Sequence, residues 1–356
     1  MGEVQYEAEG EADDGPDVHP GLFVSVGHQA DAGNGQGGVR QKVKRRGGGM
    51  SIKKDIAILM STYNGERYLA EQIDSILHQT YIDRIDLYIR DDGSKDSTKE
   101  ILKKYQEQYS NIKIFNEENI GCTASFFKLL KMVDGYDYYA FSDQDDVWKS
   151  NKIEKAIEKI ENFEEAVLYG SRSTLVDEKL NPTGLTQKSK KEITFYNALI
   201  QNLMPGHTQV FNHAFKQKIN IEIDTNQLIV HDYWLALLAT AFADVVFDNE
   251  SYTLYRQHGN NAIGYGRGFF GWFIERLKRV KNKSAKKITK QDVYFRELYK
   301  EFLPKEYLNE CDRLLDSQQS FLSRLKYIFT KKVYRQRFIE TRLFEILYLV
   351  GGYKIN

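Results

Sequence analysis

The sequence predicts an α/β protein: a mainly parallel, doubly wound sheet followed by a helical C-terminal extension. Strand-length apolar runs alternate with segments of helical period from residue 55 to residue 163, the pattern of successive βαβ units. The turns after those runs are rich in Asp, Ser, Asn and Gly, and open parallel sheets bind ligands beyond the carboxyl ends of their strands. With 356 residues and 41% apolar content, the chain can fill a core for such a sheet and an appendage.

Asp55 to Met60 is the first strand, and Glu66 to Gln79 follows as a helix with Leu69, Ile73, Ile76 and Leu77 on one face. Ile85 to Arg90 is the second strand. Ser97 and Glu100 are spaced as a capping box before a helix that carries Ile101, Leu102 and Tyr105. Ile112 to Phe115 reads as a strand, Cys122 to Val133 as a helix, Tyr138 to Phe141 as a buried strand and Lys152 to Phe163 as a helix. Beyond these, the pattern predicts helices over Thr194 to Leu203 and Tyr233 to Ala243, with a strand-like stretch from Tyr252 to Tyr255.

The first 49 residues hold 12 of the 26 glycines and little apolar periodicity. They read as a disordered leader, outside the native gene product, or alternatively as a basic arm. Fifty basic residues balance fifty acidic ones, so the overall charge gives no attraction to nucleic acid. Cys122 and Cys311 are too few for a disulfide framework and lack metal-ligand spacing, which reads as a reducing compartment and two packing residues. No apolar run reaches the roughly 18 residues of a membrane span; the nearest, Tyr233 to Phe247, is broken by Asp244.

The chemistry gathers at strand ends. Strand one runs into Ser61-Thr62-Tyr63-Asn64-Gly65, and strand two into Asp91-Asp92-Gly93-Ser94. The fourth ends in Ser142-Asp143-Gln144-Asp145-Asp146, three carboxylates that repel one another unless a divalent cation neutralises them. Asp232, before an apolar helix, is either a helix cap or a reactive carboxylate. His258, after the last strand-like stretch, is either structural or a ligand.

In their order, Ser-Thr-Tyr-Asn-Gly, Asp-Asp-Gly-Ser, Asn119-Ile120-Gly121, Ser-Asp-Gln-Asp-Asp-Val-Trp, Gly206-His207-Thr208, His-Asp-Tyr-Trp and Tyr-Arg-Gln-His resemble the motifs of the family 2 glycosyltransferases with the GT-A fold. Within that family they are most similar to the rhamnosyltransferase-like members of bacterial polysaccharide synthesis. The resemblance covers residues 52 to 265. It implies a GT-A catalytic domain over 50–265, a basic and aromatic helical segment over 266–356, and an inverting, metal-dependent transfer from a nucleotide-diphospho-sugar. The implied donor is dTDP-L-rhamnose, with UDP-hexose or UDP-N-acetylhexosamine as alternatives. The implied acceptor is a glycan or lipid-linked glycan at the inner face of the plasma membrane.

By the same resemblance, Thr62, Tyr63, Asn64, Asp91, Asp92, Asn119, Gly121 and Asp143 belong to the nucleotide-sugar site, and Gly206 and His207 line donor sugar and acceptor. Asp145 is the implied ligand of Mn2+ or Mg2+, with His258 matching a histidine that completes the metal site in some relatives. Asp232 matches the base; many relatives carry Glu where His231 stands. A nucleotidyltransferase would want a Gly-rich basic loop after strand one, and Ser61 to Arg67 has a single glycine and a single arginine. Residues 266–290 carry nine Lys or Arg against one Glu, beside Phe269, Phe270, Trp272 and Phe273. That segment reads either as a membrane-surface element or as a basic helix packed through its rings.

Overall fold

The computed structural model describes residues 54–81, 84–258 and 284–354. The predicted leader and residues 266–283 of the predicted membrane segment lie outside the described residues. The elements in chain order are β1 (Ile56–Thr62), α1 (Leu69–Leu77), β2 (Ile85–Asp92), α2 (Thr98–Gln108), β3 (Ile112–Glu117), α3 (Cys122–Met132), β4 (Tyr138–Ser142), β5 (Val147–Trp148), α4 (Lys152–Ile160), β6 (Val167–Val176), β7 (Pro182–Leu185) and α5 (Phe195–Ala198). Next come β8 (Val210–Asn212), α6 (His213–Lys216), α7 (His231–Phe242) and β9 (Asp244–Arg256), then the C-terminal helices α8 (Ser284–Tyr299), α9 (Lys305–Asp316), α10 (Phe321–Thr330) and α11 (Phe338–Leu349).

The nine strands form a single sheet in the order β3-β2-β1-β4-β8-β6-β9-β5, with β7 on β6. β3, β2, β1 and β4 are parallel neighbours. β8 is antiparallel to both β4 and β6, which returns β6 and its parallel partner β9 to the direction of β4. Six strands therefore point one way, against β5, β7 and β8.

β1 shows why the sheet is covered on both faces. Its residues alternate in direction, as a strand's must. Ala57 and Leu59 enter one core with Phe126, Phe141, Trp234 and Phe295. Ile56, Ile58 and Met60 enter the other with Leu69, Ile73 and Ile157 of α1 and α4. A strand buried on both faces reads as a continuous apolar run, and Ile56–Met60 is one.

Two expectations change. The capping box at Ser97 does not form: the Ser97 N–H donates to Glu66 (3.0 Å) and the Thr98 N–H to Asp96 (3.1 Å), so α2 is started by neighbouring carboxylates. The helix expected over Thr194 to Leu203 is only α5, because Asn197 and Gln201 turn their side chains to Tyr334, Gln336 and Glu340 of the C-terminal part. That region shares the first core, through Tyr299, Leu314, Tyr327, Phe344 and Tyr348. Because core and helices are continuous, Phe344→Ala, at a fully buried ring, is expected to cost about 3–5 kcal/mol and to shift one unfolding transition. Urea unfolding followed by tryptophan fluorescence and far-ultraviolet dichroism checks this; separate transitions for the two signals would show an independent C-terminal unit.

Candidate active site

Strand register brings the motifs to one rim. Thr62 pairs with Asp91 and Met60 with Ser142, so the loops after β1, β2 and β4 leave the same edge of the sheet. β8 runs against β4 with Val210 opposite Ala140, and its start places Gly206–Thr208 at that rim. β9 ends there as well, with Arg256 opposite Val176. α7 is anchored by His231, whose ring stacks on Phe126 at 3.9 Å and meets Phe141 edge-on at 5.0 Å.

The loops after β1, β2 and β4 are stitched together. Gln144 Oε1 accepts from the Thr62 hydroxyl (2.5 Å) and the Tyr63 N–H (2.8 Å), tying the loop of β4 to that of β1. A Cβ at Gly65 would sit 2.6 Å from Gln144 Oε1, so only glycine allows this approach. The Asn64 N–H donates to Ser94 Oγ (2.8 Å), and the Asn64 side chain accepts from the Lys95 N–H (2.9 Å). Asp91 and Asp92 are both buried. Asp91 accepts from the Ser94 N–H (3.1 Å) and hydroxyl. Asp92 accepts from the N–H groups of Ile120 (2.8 Å) and Gly121 (2.9 Å) and from Arg90, which fixes the Asn119–Gly121 turn. Tyr63 stays 44% exposed, a ring free to meet a ligand.

The acids after β4 take three environments. His258 Nε2 lies 2.7 Å from Asp145 Oδ2, with its ring stacked on Tyr68. Asp143 and Asp146 face His207 Nδ1 at 3.5 and 3.6 Å, while His207 Nε2 shares a 2.7 Å hydrogen bond with Ser173 Oγ. Asp146 is fully buried; its Oδ1 accepts from the Arg256 N–H (3.2 Å) and its Oδ2 has no hydrogen-bond partner among the described residues. Burial, then Asp145 and Asp143, hold Asp146 well above the carboxylate range. Burial and Asp143 raise Asp145, opposed by His258. Asp143, although burial works against it, is held low by His207.

Asp143, Asp146 and His207 offer ligand atoms all within 4.8 Å of one another, beside the Asp145–His258 pair. Oxygen donors with one orphaned, buried carboxylate oxygen fit a hard divalent cation.

Sequence reasoning missed the cations beneath this cluster. Lys152 is buried with its ammonium 3.4 Å from the centre of the Trp148 ring; burial lowers it to about 7, with Asp146 and Asp143 opposing. Arg256 donates to the Asp145 carbonyl (3.0 Å), the Glu178 carbonyl (2.6 Å) and Glu71, and lies over the Tyr68 ring. The position of Lys152 after the acidic motif was the available signal, but helical period assigned it to an ordinary first turn.

Asp232 does not cap α7. The cap position is Val230, and the Asp232 carboxylate turns to Asn202 Nδ2 (3.1 Å) and the Gly206 N–H (2.7 Å). A helix N-terminus favours the ionised form, yet burial prevails and raises Asp232 to about 7. Gly206 and His207 are consecutive, so one short turn connects this carboxylate to the acidic cluster. Cys122 also departs from its expected packing role. It begins α3 and reaches solvent, whereas Cys311 is buried.

A mostly parallel α/β sheet whose motif loops gather at one rim, with a helical extension, has the architecture of the GT-A fold. S. aureus TarS 1-349 in complex with UDP superimposes with a TM-score of 0.52 at 18% identity, over 84% of this chain and 80% of that one. The family model for glycosyl transferase family 2 matches residues 57–224. A dTDP-rhamnosyl transferase, RfbG of Shigella flexneri, is 35% identical over 243 residues, 65% of this chain and 82% of that protein. A glycosyltransferase of Rickettsia typhi is 30% identical over 251 residues, 67% of this chain and 74% of its own length. The chain belongs to glycosyltransferase family 2.

Gly206 is a tight joint beside Asp232. A Cβ there would sit 2.8 Å from His231 Nε2 and 3.2 Å from Asp232 Cβ. Gly206→Ala is expected to cost about 1–3 kcal/mol of stability and to lower turnover about a hundredfold by displacing the carboxylate. Unchanged kcat in a folded Gly206→Ala protein would show that this turn does not position Asp232.

Proposed function

We propose that this glycosyltransferase moves L-rhamnose from dTDP-L-rhamnose to a hydroxyl of a glycan acceptor, with inversion at the anomeric carbon. The donor identity is supported by the rhamnosyl transferase relative from Shigella flexneri. The reaction type is carried by one observation: a half-buried carboxylate, Asp232, held by Asn202 and Gly206 one turn away from the acidic loop after β4.

Asp232 takes the proton of the acceptor hydroxyl while that oxygen attacks the anomeric carbon on the face opposite the diphosphate. The bond from the anomeric carbon to the phosphate oxygen breaks, and its electron pair leaves with the nucleoside diphosphate. One carboxylate suffices because the leaving group needs charge neutralisation rather than an acid. Asp145 and His258, with Asp143, Asp146 and His207 adjacent, would hold Mn2+ or Mg2+, which supplies that neutralisation when bound. Thr62, Tyr63, Asn64 and Asn119–Gly121 form the base and ribose side, in loops pinned by Asp91 and Asp92. Gly206 and His207 stand between the donor loops and the base.

The acceptor is a glycan or lipid-linked glycan, and the enzyme works as a peripheral protein at the inner face of the plasma membrane. No helix among the described residues is long and apolar enough to cross a membrane.

Incubating the protein and Mn2+ with a panel of nucleotide sugars tests the donor; dTDP-L-rhamnose should be consumed fastest, and preference for a UDP-sugar would overturn the assignment. Asp145→Ala is expected to weaken metal-dependent donor binding, read by calorimetry with and without Mn2+. Asp232→Asn should abolish transfer and leave donor binding nearly intact; turnover close to the parent's would refute the base.

The pH dependence follows from the raised carboxyl. The base works ionised, so kcat/KM should climb with pH through about 7. Asn202→Ala removes a donor to the carboxylate and should move that limb upward; a limb insensitive to it belongs to another group. Folding raises this group from 3.8 to about 7, so the native state binds the extra proton and loses stability as pH climbs through that window. Asp232→Asn should therefore melt higher than the parent at pH 8, an advantage that vanishes below pH 4.

A further inference from the structure

We propose that α10 and α11 form a docking face for an anionic lipid surface. The sequence places the membrane expectation first on residues 266–290 and extends it, with further Lys, Arg and aromatic residues, over Phe321 to Tyr353; α10 and α11 form that second stretch. Of the thirteen large hydrophobic side chains exposed among the described residues, seven lie between 321 and 350. Such density on a folded chain marks an interaction surface.

The helices pack against each other, and each leaves a stripe outside. On α10, Leu322 and Phe329 are 74% and 81% exposed, with Lys326 between them. On α11, Phe338, Arg342, Ile346 and Val350 recur every fourth residue, one face of a helix, and all are exposed. The Arg342 guanidinium lies 4.8 Å from the centre of the Phe338 ring.

Charge selects the occupant. Residues 321–354 contain two acids, Glu340 and Glu345, and both are buried. Glu345 is paired with Lys331 (2.6 Å) and Arg342 (2.7 Å), and Glu340 accepts from Gln201 (3.2 Å). Lys326, Arg337 and Lys354 are exposed, so what surrounds the apolar stripes outside is basic. A second copy of this face would bring the same cations. The chain's own 259–283 segment carries six Lys or Arg and one Glu, and would also meet like charge. Anionic headgroups are complementary: rings and aliphatic chains enter the interface while the cations stay among the phosphates. The inference extends the membrane placement above and does not depend on the donor or base.

Flotation of the full chain with vesicles tests it. Binding is expected to phosphatidylcholine vesicles containing about a third phosphatidylglycerol, to be weak on phosphatidylcholine alone, and to fall as salt rises. Phe329→Ser with Phe338→Ser, and Lys326→Glu with Arg337→Glu, should each lower the partition coefficient about tenfold or more, with thermal midpoint and donor hydrolysis unchanged. No binding by the parent, equal binding by the variants, or equal affinity for neutral vesicles would overturn the proposal. So would a parent dimer that Phe329→Ser with Phe338→Ser turns into monomer, or binding abolished by Lys278→Glu with Arg279→Glu but kept by the α10 and α11 variants. A parent that floats but consumes no nucleotide sugar would keep this proposal and sink the functional one.

Discussion

Carboxylates crowded at the ends of parallel strands constrain everything else in this fold. Asp143, Asp145 and Asp146 leave β4 together, and Asp146 is sealed from solvent. In a low-dielectric setting such a group cannot stay ionised without compensation. The protein compensates from below and from the side: Lys152 lies under the cluster, His207 between Asp143 and Asp146, and the Arg256 backbone reaches Asp146. The compensation is partial, because Asp145 and Asp146 remain above their ordinary range. A site left short of positive charge has room for one more cation.

That constraint also explains the topology. Four parallel strands deliver only the loops proposed to hold the nucleotide. Reversal of direction at β8 makes Gly206 and His207 part of the same rim, since an antiparallel strand begins where its parallel neighbours end. His207 then reaches the acids while Gly206 holds Asp232. The one strand of opposite sense in the middle of the sheet joins the loops of the parallel strands to Asp232.

Legibility in the sequence followed burial. β1 and β4 are apolar up to their polar C-terminal ends, and α1 and α4 have regular stripes, so their pattern is local and readable. β6 was not: Val167–Val176 interrupts its apolar residues with Gly170, Ser171, Arg172 and Ser173. Ser171 and Ser173 are buried by tertiary partners, as when Ser173 meets His207 and Thr186. β9 was read over only four residues because Asp248, Asn249 and Glu250 coincide with an irregularity in its register with β6. In the site, residue types announced the acids, but not their distribution of labour. Nothing local to Asp91-Asp92 says that one carboxylate binds its own turn and the other the Asn119–Gly121 turn. Asn202 carries no motif at all; its role exists only because α5 ends early.

The environment of Asp232, the proposed base, sets two opposing effects against each other. Its place in the first turn of α7 and the Gly206 N–H favour the carboxylate, whereas burial favours the acid. A fully stabilised carboxylate would be too weak to draw a proton from an alcohol; a fully desolvated one would be protonated at neutral pH and unable to begin. His231 permits the balance. Burial lowers its ring to about 4, so between Phe126 and Phe141 it fills space as a neutral aromatic. A neutral imidazole leaves the carboxyl near 7, where it can both hold and release a proton.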